Sequence, residues 1–152
     1  ITGLDLVEQM IRVAAGEKLS FAQKDLKIGG WAIESRIYAE DPYRNFLPSI
    51  GRLTRYRPPA EGRFGDVVLR NDTGVTEGSE ISMFYDPMIA KVVAWGETRD
   101  AAIDLLDDVV AKTIVAPCVT NLSFLRRLFA SDEFRKAEYD TKFAEVLAKR
   151  PG

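Results

Sequence analysis

Residues 31–40 read WAIESRIYAE, and their alternation decides the fold class. Trp31, Ile33, Ser35, Ile37 and Ala39 fall on one face of an extended chain, and Ala32, Glu34, Arg36, Tyr38 and Glu40 fall on the other. Side chains of a strand point to opposite faces with a period of two, so this is a strand with one apolar side. Its other side carries Glu34, Arg36 and Glu40. A helix of about 3.6 residues per turn would scatter the same charges around its circumference.

Further strands lie beyond it. MIAKVVAW (88–95), between Pro87 and Gly96, is β-branched and mostly apolar, which predicts a buried central strand. Leu53 and Tyr56 begin a short strand bounded by Pro58-Pro59, and Val67 to Arg70 form a third candidate. Pro48 and Gly51 mark a turn, AEGRFG (60–65) reads as loop, and Gly74 and Gly78 place turns in NDTG and TEGSE.

Helical spacing takes over at both ends. Thr2 and Asp5 form a capping pair, and Leu4, Val7, Ile11 and Ala14 then recur at helical intervals up to Gly16. SFAQKDLKIGG (20–30) is a polar connector with one helical turn, ended by Gly29-Gly30. Thr98 caps a helix with Asp100 in its first turn and a stripe of Ala102, Ile103, Leu106, Val109 and Val110. Pro117 ends the next connector. Thr120 then caps a helix with Leu122, Leu125, Leu128 and Phe129 inward, and Thr141 a short last one with Phe143, Val146 and Leu147.

Strands gathered in mid-chain, without βαβα alternation, predict α+β architecture: an antiparallel sheet in the middle of the chain, flanked by an N-terminal helix and C-terminal helices. One domain over 1–152 is expected. The opening ITGLDLVEQM has no initiator Met and reads as cut from a longer chain.

Composition removes several function classes. Twenty-one Lys and Arg stand against 23 Asp and Glu, a net charge of -2, so no nucleic-acid partner is expected. The basic cluster Arg52, Arg55 and Arg57 reads as a solvated strand face. Cys118 is the one cysteine and there is no histidine. That excludes an internal disulfide, leaves the common zinc sets incomplete, and removes the usual base of Ser-His and Cys-His chemistry. No bound metal and no membrane insertion are expected, and the compartment is read as cytoplasm or mitochondrial matrix.

One cation stands apart. In VVLRNDTGVTEGSEISMFYDPMIAK (67–91), Arg70 has no basic neighbour before Lys91. It reads either as a strand arginine paired with Asp72 or Asp86, or as a catalytic cation of a site whose other members lie outside this chain. RNDTG by itself is a turn motif and leaves both readings open. Glu34, Arg36, Glu40 and Asp41, on or beside one strand face, read as holding the sheet against neighbouring domains. Tyr85-Asp86-Pro87 and Lys91 read as fixing the turn before the central strand.

Taken in order, ITGLDLV, ESRIYAEDP, FLPSIGRLTRY, RNDTG and YDPMIAK, with TNLSFLRRL and TKF in the helical end, resemble the C-terminal part of biotin carboxylases. The likeness runs from Ile1 to about Leu147. Within that family the chain is most similar to the biotin-containing α subunits of propionyl-CoA carboxylases. AEGRFG is shorter than the corresponding segment of many of these, and acetyl-CoA, 3-methylcrotonyl-CoA, pyruvate and urea carboxylases stay open as alternatives.

The resemblance implies the fold of that C-terminal domain. For a longer parent it implies ligase activity: ATP- and bicarbonate-dependent carboxylation, with Mg2+, of biotin held on a carrier domain. An ATP-grasp core with its glycine-rich loop and metal-binding residues would lie upstream. The implied partners are that core, the biotin carrier domain, a carboxyltransferase (β) subunit and further copies of the same chain in a homo-oligomer. None of these cofactors is expected to be bound by this fragment alone. Arg70 matches the family's active-site arginine in the pattern Arg-x-acid, here Arg70-Asn71-Asp72. Its implied role is to stabilise the enolate oxygen formed when biotin loses its N1′ proton. A non-catalytic subunit-assembly module, with Arg70 merely structural, is the alternative from another class.

Overall fold

Asp5, not Thr2, starts the first helix in the computed structural model, which describes residues 1–150. The Asp5 carboxylate accepts from the Glu8 amide at 2.9 Å, whereas Gly3 at φ 72° takes Thr2 out of any helical path. Helix α1 (Leu6–Ala14) leads through a 3-10 turn at Gln23–Asp25 to the strands. These are β1 (Trp31–Tyr38), β2 (Glu40–Asp41), β3 (Leu47–Pro48), β4 (Gly51–Arg52), β5 (Arg55–Arg57), β6 (Gly62–Phe64), β7 (Val67–Thr73), β8 (Glu80–Ile81) and β9 (Met88–Gly96). Helix α2 (Arg99–Lys112), β10 (Ile114–Ala116), α3 (Leu122–Ala130), α4 (Asp132–Arg135) and α5 (Phe143–Lys149) follow.

The main sheet is antiparallel with strand order β1-β9-β7-β6, so the apolar Met88–Gly96 segment is internal, as its composition demands. Three separate two-stranded ladders, β2–β3, β4–β8 and β5–β10, complete the strand pairing. AEGRFG is not simply loop. Gly62–Phe64 pairs with Val67–Leu69 as an edge strand, because Gly65, at φ 61°, and Asp66 form a two-residue hairpin link.

Register separates the two faces. Ile37 lies opposite Ala90, Ser35 opposite Val92, and Leu69 opposite Ala94, and all six are buried on the inner face. Helix α2 covers that face. Thr98 accepts from the Ala101 amide at 3.1 Å, and Ala102, Ile103, Leu106, Val109 and Val110 are all buried. Each large aliphatic side chain so buried contributes about 1.5–3 kcal/mol of transfer free energy.

The last helices depart from their predicted caps. Asn121, not Thr120, precedes α3, and it does not cap the helix with its side chain. The amide is used elsewhere, bonding the backbone of β1. Phe124, Leu125 and Phe129 are buried on α3, while Leu122 and Leu128 pack at the edge of the core. Helix α5 follows Lys142 without a side-chain cap; Asp140, rather than Thr141, accepts from the Lys142 amide at 2.9 Å. Phe143 and Leu147 are buried, but Val146 is half-exposed, because in a helix of seven residues only the i, i+4 pair faces the core. Phe134, Tyr139 and Phe143 form a run of rings with centroids 5.2 and 5.8 Å apart that seals this end.

Candidate functional site

The outer face of the sheet carries the charged residues singled out in the sequence. Register sets Glu34 and Arg70 on either side of Val93, and Arg36 and Asp72 on either side of Lys91. Arg70 and Asp72, two apart on β7, share this face. The guanidinium grips the carboxylate with two bonds, Nε to Oδ1 at 2.7 Å and Nη2 to Oδ2 at 2.8 Å. These bonds hold the Arg70 pKa above its ordinary value. Nη1 takes no part in the fork, and the Arg70 side chain is 70% exposed. Of the two carboxylates considered for Arg70, Asp72 is the partner. Asp86 instead accepts from the Met88 amide at 2.9 Å and fixes the turn before β9.

Beside Arg70 the sheet surface is an apolar floor. Val68, Val93, Ala32 and Trp95 form a shallow depression rimmed by Arg63 and Arg70. The Arg63 guanidinium lies 5.6 Å from the Trp95 ring centroid. Trp95 is anchored: its Nε1–H donates to the Gly29 carbonyl at 2.9 Å. Gly30, at φ 70°, lets the chain pass so close that a Cβ there would lie 2.6 Å from the Gly96 oxygen and from Trp95 ring carbons. Asp72 lines the neighbouring cavity of about 430 Å³ together with Tyr85, Asp86 and Lys91. The Arg70–Asp72 fork therefore stands between two concave surfaces.

The other sequence candidates divide. Arg36 donates to Glu34 at 3.0 Å on the same outer face. Glu40 leaves that face because the β1–β9 register shifts between Ile37 and Tyr38. It is partly buried in β2, and burial, then the charge of Asp86, pushes its carboxyl pKa up. Asp41 caps the 3-10 turn Pro42–Arg44 by accepting from the Tyr43 amide at 3.0 Å. Arg52 donates to the Gly78 carbonyl and Arg57 to Glu77, so two of the three basic-cluster residues are tied locally.

Two residues near the fork were missed in the sequence. Arg63, which lines the depression, and Glu61, whose carboxylate accepts from the Asn71 amide, both lie in AEGRFG. The glycine-bounded three-residue spacing beside Gly65-Asp66 is the signal that could have located this edge hairpin. Among the described residues no group of three or more His, Cys, Asp or Glu could hold a metal ion, and no helix is long and apolar enough to cross a membrane. An apolar floor beside a cation with a free edge can receive a flat, uncharged ring and stabilise negative charge developing on its oxygen.

Comparison with known proteins agrees with this architecture. The sequence profile of the biotin carboxylase C-terminal domain matches residues 34–146. The propionyl-CoA carboxylase alpha chain of Ruegeria pomeroyi is 54% identical, over 94% of this chain and 23% of its own length. The mitochondrial propionyl-CoA carboxylase alpha chain of Homo sapiens is 44% identical, over 94% of this chain and 19% of its own. The chain thus spans about a fifth of the length of these curated relatives. Among solved structures, the biotin carboxylase domain of the Hydrogenobacter thermophilus 2-oxoglutarate carboxylase superposes with a TM-score of 0.88 at 34% identity, covering 100% of this chain and 33% of that one. From its α+β sheet to the order of its motifs, the chain belongs to the biotin carboxylase C-terminal domain family.

Proposed function

We propose that this chain is the C-terminal domain of the biotin carboxylase component of an acyl-CoA carboxylase, a propionyl-CoA carboxylase α subunit, and that Arg70 is its catalytic residue. The observation that carries the assignment is the Arg70 guanidinium itself. It is clamped along one edge by Asp72, open along the other, and set beside the floor of Val68, Val93 and Trp95. That arrangement fits the ureido ring of carrier-bound biotin as substrate. Arg70 would hold permanent positive charge against the ureido oxygen as negative charge grows there, a contact stronger in the transition state than in the ground state.

MgATP and bicarbonate, bound by an upstream ATP-grasp core, would supply the activated carboxyl group. This chain's share would be the arginine and one wall of the biotin pocket. The carrier domain and a carboxyltransferase β subunit would be its partners, in the cytoplasm or mitochondrial matrix. Alone, the chain is expected to fold but to hydrolyse no ATP.

The test is Arg70→Ala in the full-length carboxylase. Loss of one oxyanion contact is expected to lower kcat for biotin carboxylation by about 10²–10³ and to leave the KM for ATP unchanged. Near-normal carboxylation by the assembled variant would leave the chain an assembly module with a structural arginine.

A further inference from the structure

We infer that α1 is a docking helix: its outward apolar stripe is the seat for the ATP-grasp core of the parent carboxylase, and its helical fold depends on that contact. The inference rests on the biotin carboxylase reading given above and is independent of Arg70. Along Leu6–Ala14 the residues Leu6, Val7, Met10, Ile11 and Val13 share one broad side, while Glu8 and Arg12, paired at 2.8 Å, hold the other. A surface helix usually turns its apolar side inward. In α1 the order is reversed: all five apolar side chains are more than half exposed, none of the helix is buried, and the polar Gln9 is its one partly covered residue.

Nine residues are too few to sustain this helix by themselves, since isolated helices shorter than about 12–15 residues are marginal in water and most helical stability comes from packing. The Asp5 cap and the Glu8–Arg12 pair favour the helix locally, but neither removes apolar surface from water. Ahead of the helix, the Gly29 amide donates to the Ile1 carbonyl at 2.7 Å and ties the start of the chain to the sheet. So large a contiguous apolar side, left open, marks an interaction surface.

The core is the occupant that fits. In the solved biotin carboxylase domain described above, this fold accounts for 33% of the chain, so most of such a domain is the surroundings of the fold rather than the fold itself. A second copy fits less well. A nine-residue helix is about 13 Å long and about 10 Å across. Two such helices face to face fall far short of the roughly 1,200 Å² that a stable interface buries. A core on the same polypeptide docks at high effective concentration and needs no such area. The stripe is aliphatic throughout, with no aromatic ring, and calls for an aliphatic groove on the core.

The experiment is hydrogen exchange, read by mass spectrometry on the 152-residue chain and on the full-length carboxylase. In the chain alone the amides of Gln9 to Ala15 are expected to exchange within about 10-fold of an unstructured peptide, while those of β9 stay strongly protected. In the full-length protein the α1 amides should slow by about 100-fold or more. Met10→Asp places a charge on the stripe. It should leave the melting temperature of the chain alone unchanged, because Met10 is exposed there, and return α1 of the full-length protein to fast exchange. Met10→Leu should keep that helix protected.

Slow exchange of α1 in the chain alone at every concentration overturns the dependence on the core. Slow exchange that appears only as the chain is concentrated overturns the inference by assigning the stripe to a second copy. Fast exchange in the full-length protein overturns it by removing the core as the cover. Exchange needs no turnover, so the carboxylation assay decides the proposed function separately.

Discussion

Asn121 joins the start of α3 to the end of β1. Its Oδ1 accepts from the Tyr38 amide at 2.9 Å, and its Nδ2 donates to the Arg36 carbonyl at 3.0 Å. The residue is 7% exposed and satisfies both strand groups across more than 80 residues of sequence. Asn121→Ala leaves a donor and an acceptor of β1 without a protein partner, at a cost of about 1–3 kcal/mol. For a domain of this size that lowers the melting temperature by roughly 2–4 °C per kcal/mol. Urea denaturation checks it, and an unchanged midpoint at constant slope would mean that water replaces the amide without loss.

Gly30 is expected to be the least replaceable glycine near the site. An added Cβ meets a backbone oxygen and an anchored ring, both at 2.6 Å, in a residue already at φ 70°. Strain and clash together should cost Gly30→Ala at least about 2 kcal/mol. Because the ring is that of Trp95, tryptophan fluorescence should change with it. Gly74→Ala is the control, since a Cβ there meets nothing within 4 Å. Equal stability of the two variants would contradict the close packing of Gly30 on Trp95.

Much of this was legible in the sequence, for reasons that the structure makes plain. The alternation holds from Ile33 to Ile37 because helix α2 covers one side of the sheet, and the stripe from Ala102 to Val110 is the matching surface. Thr98 was readable because its cap bond reaches only to Ala101. The Asn121 bonds were not, because nothing local in TNLSFL marks a polar side chain committed to a strand so far away. The edge strand β6 was hidden for a different reason: three residues with a glycine and no alternation carry no periodic signal. For Arg70 the two-residue spacing of a strand made Asp72 a legible partner, while its chemical role was suggested by resemblance.

Glu40 gives a pH dependence whose sign can be worked out. Burial, and then the charge of Asp86, raises its folded-state pKa above the ordinary 4.5. Between the unfolded and folded values the native chain binds more protons than the unfolded one, so its stability falls as pH rises through that window and stays lower above it. Glu40→Gln removes the ionising group. Below the window the two proteins should behave alike in this respect, and above it the variant should gain relative to the wild type. Denaturation at about pH 3.5 and pH 7 gives the comparison. A Gln variant that loses ground between those two values would reverse the assigned sign.

Arg70→Lys separates the two readings of the arginine most sharply. The exposed pair with Asp72 is screened by solvent and adds little to folding, and a lysine keeps the charge, so the melting temperature should hardly move. Catalysis should respond differently. An ammonium cannot grip both oxygens of Asp72 along one planar edge while presenting a further donor outward, so it would satisfy the carboxylate or the substrate oxygen, not both in fixed geometry. In the full-length carboxylase the Lys variant should therefore recover little of the roughly 10²–10³-fold loss expected for Arg70→Ala, with the KM for ATP unchanged in both. If Lys restores near-wild-type carboxylation at an unchanged melting temperature, charge alone suffices, and the planar fork that distinguishes Arg70 has no catalytic use.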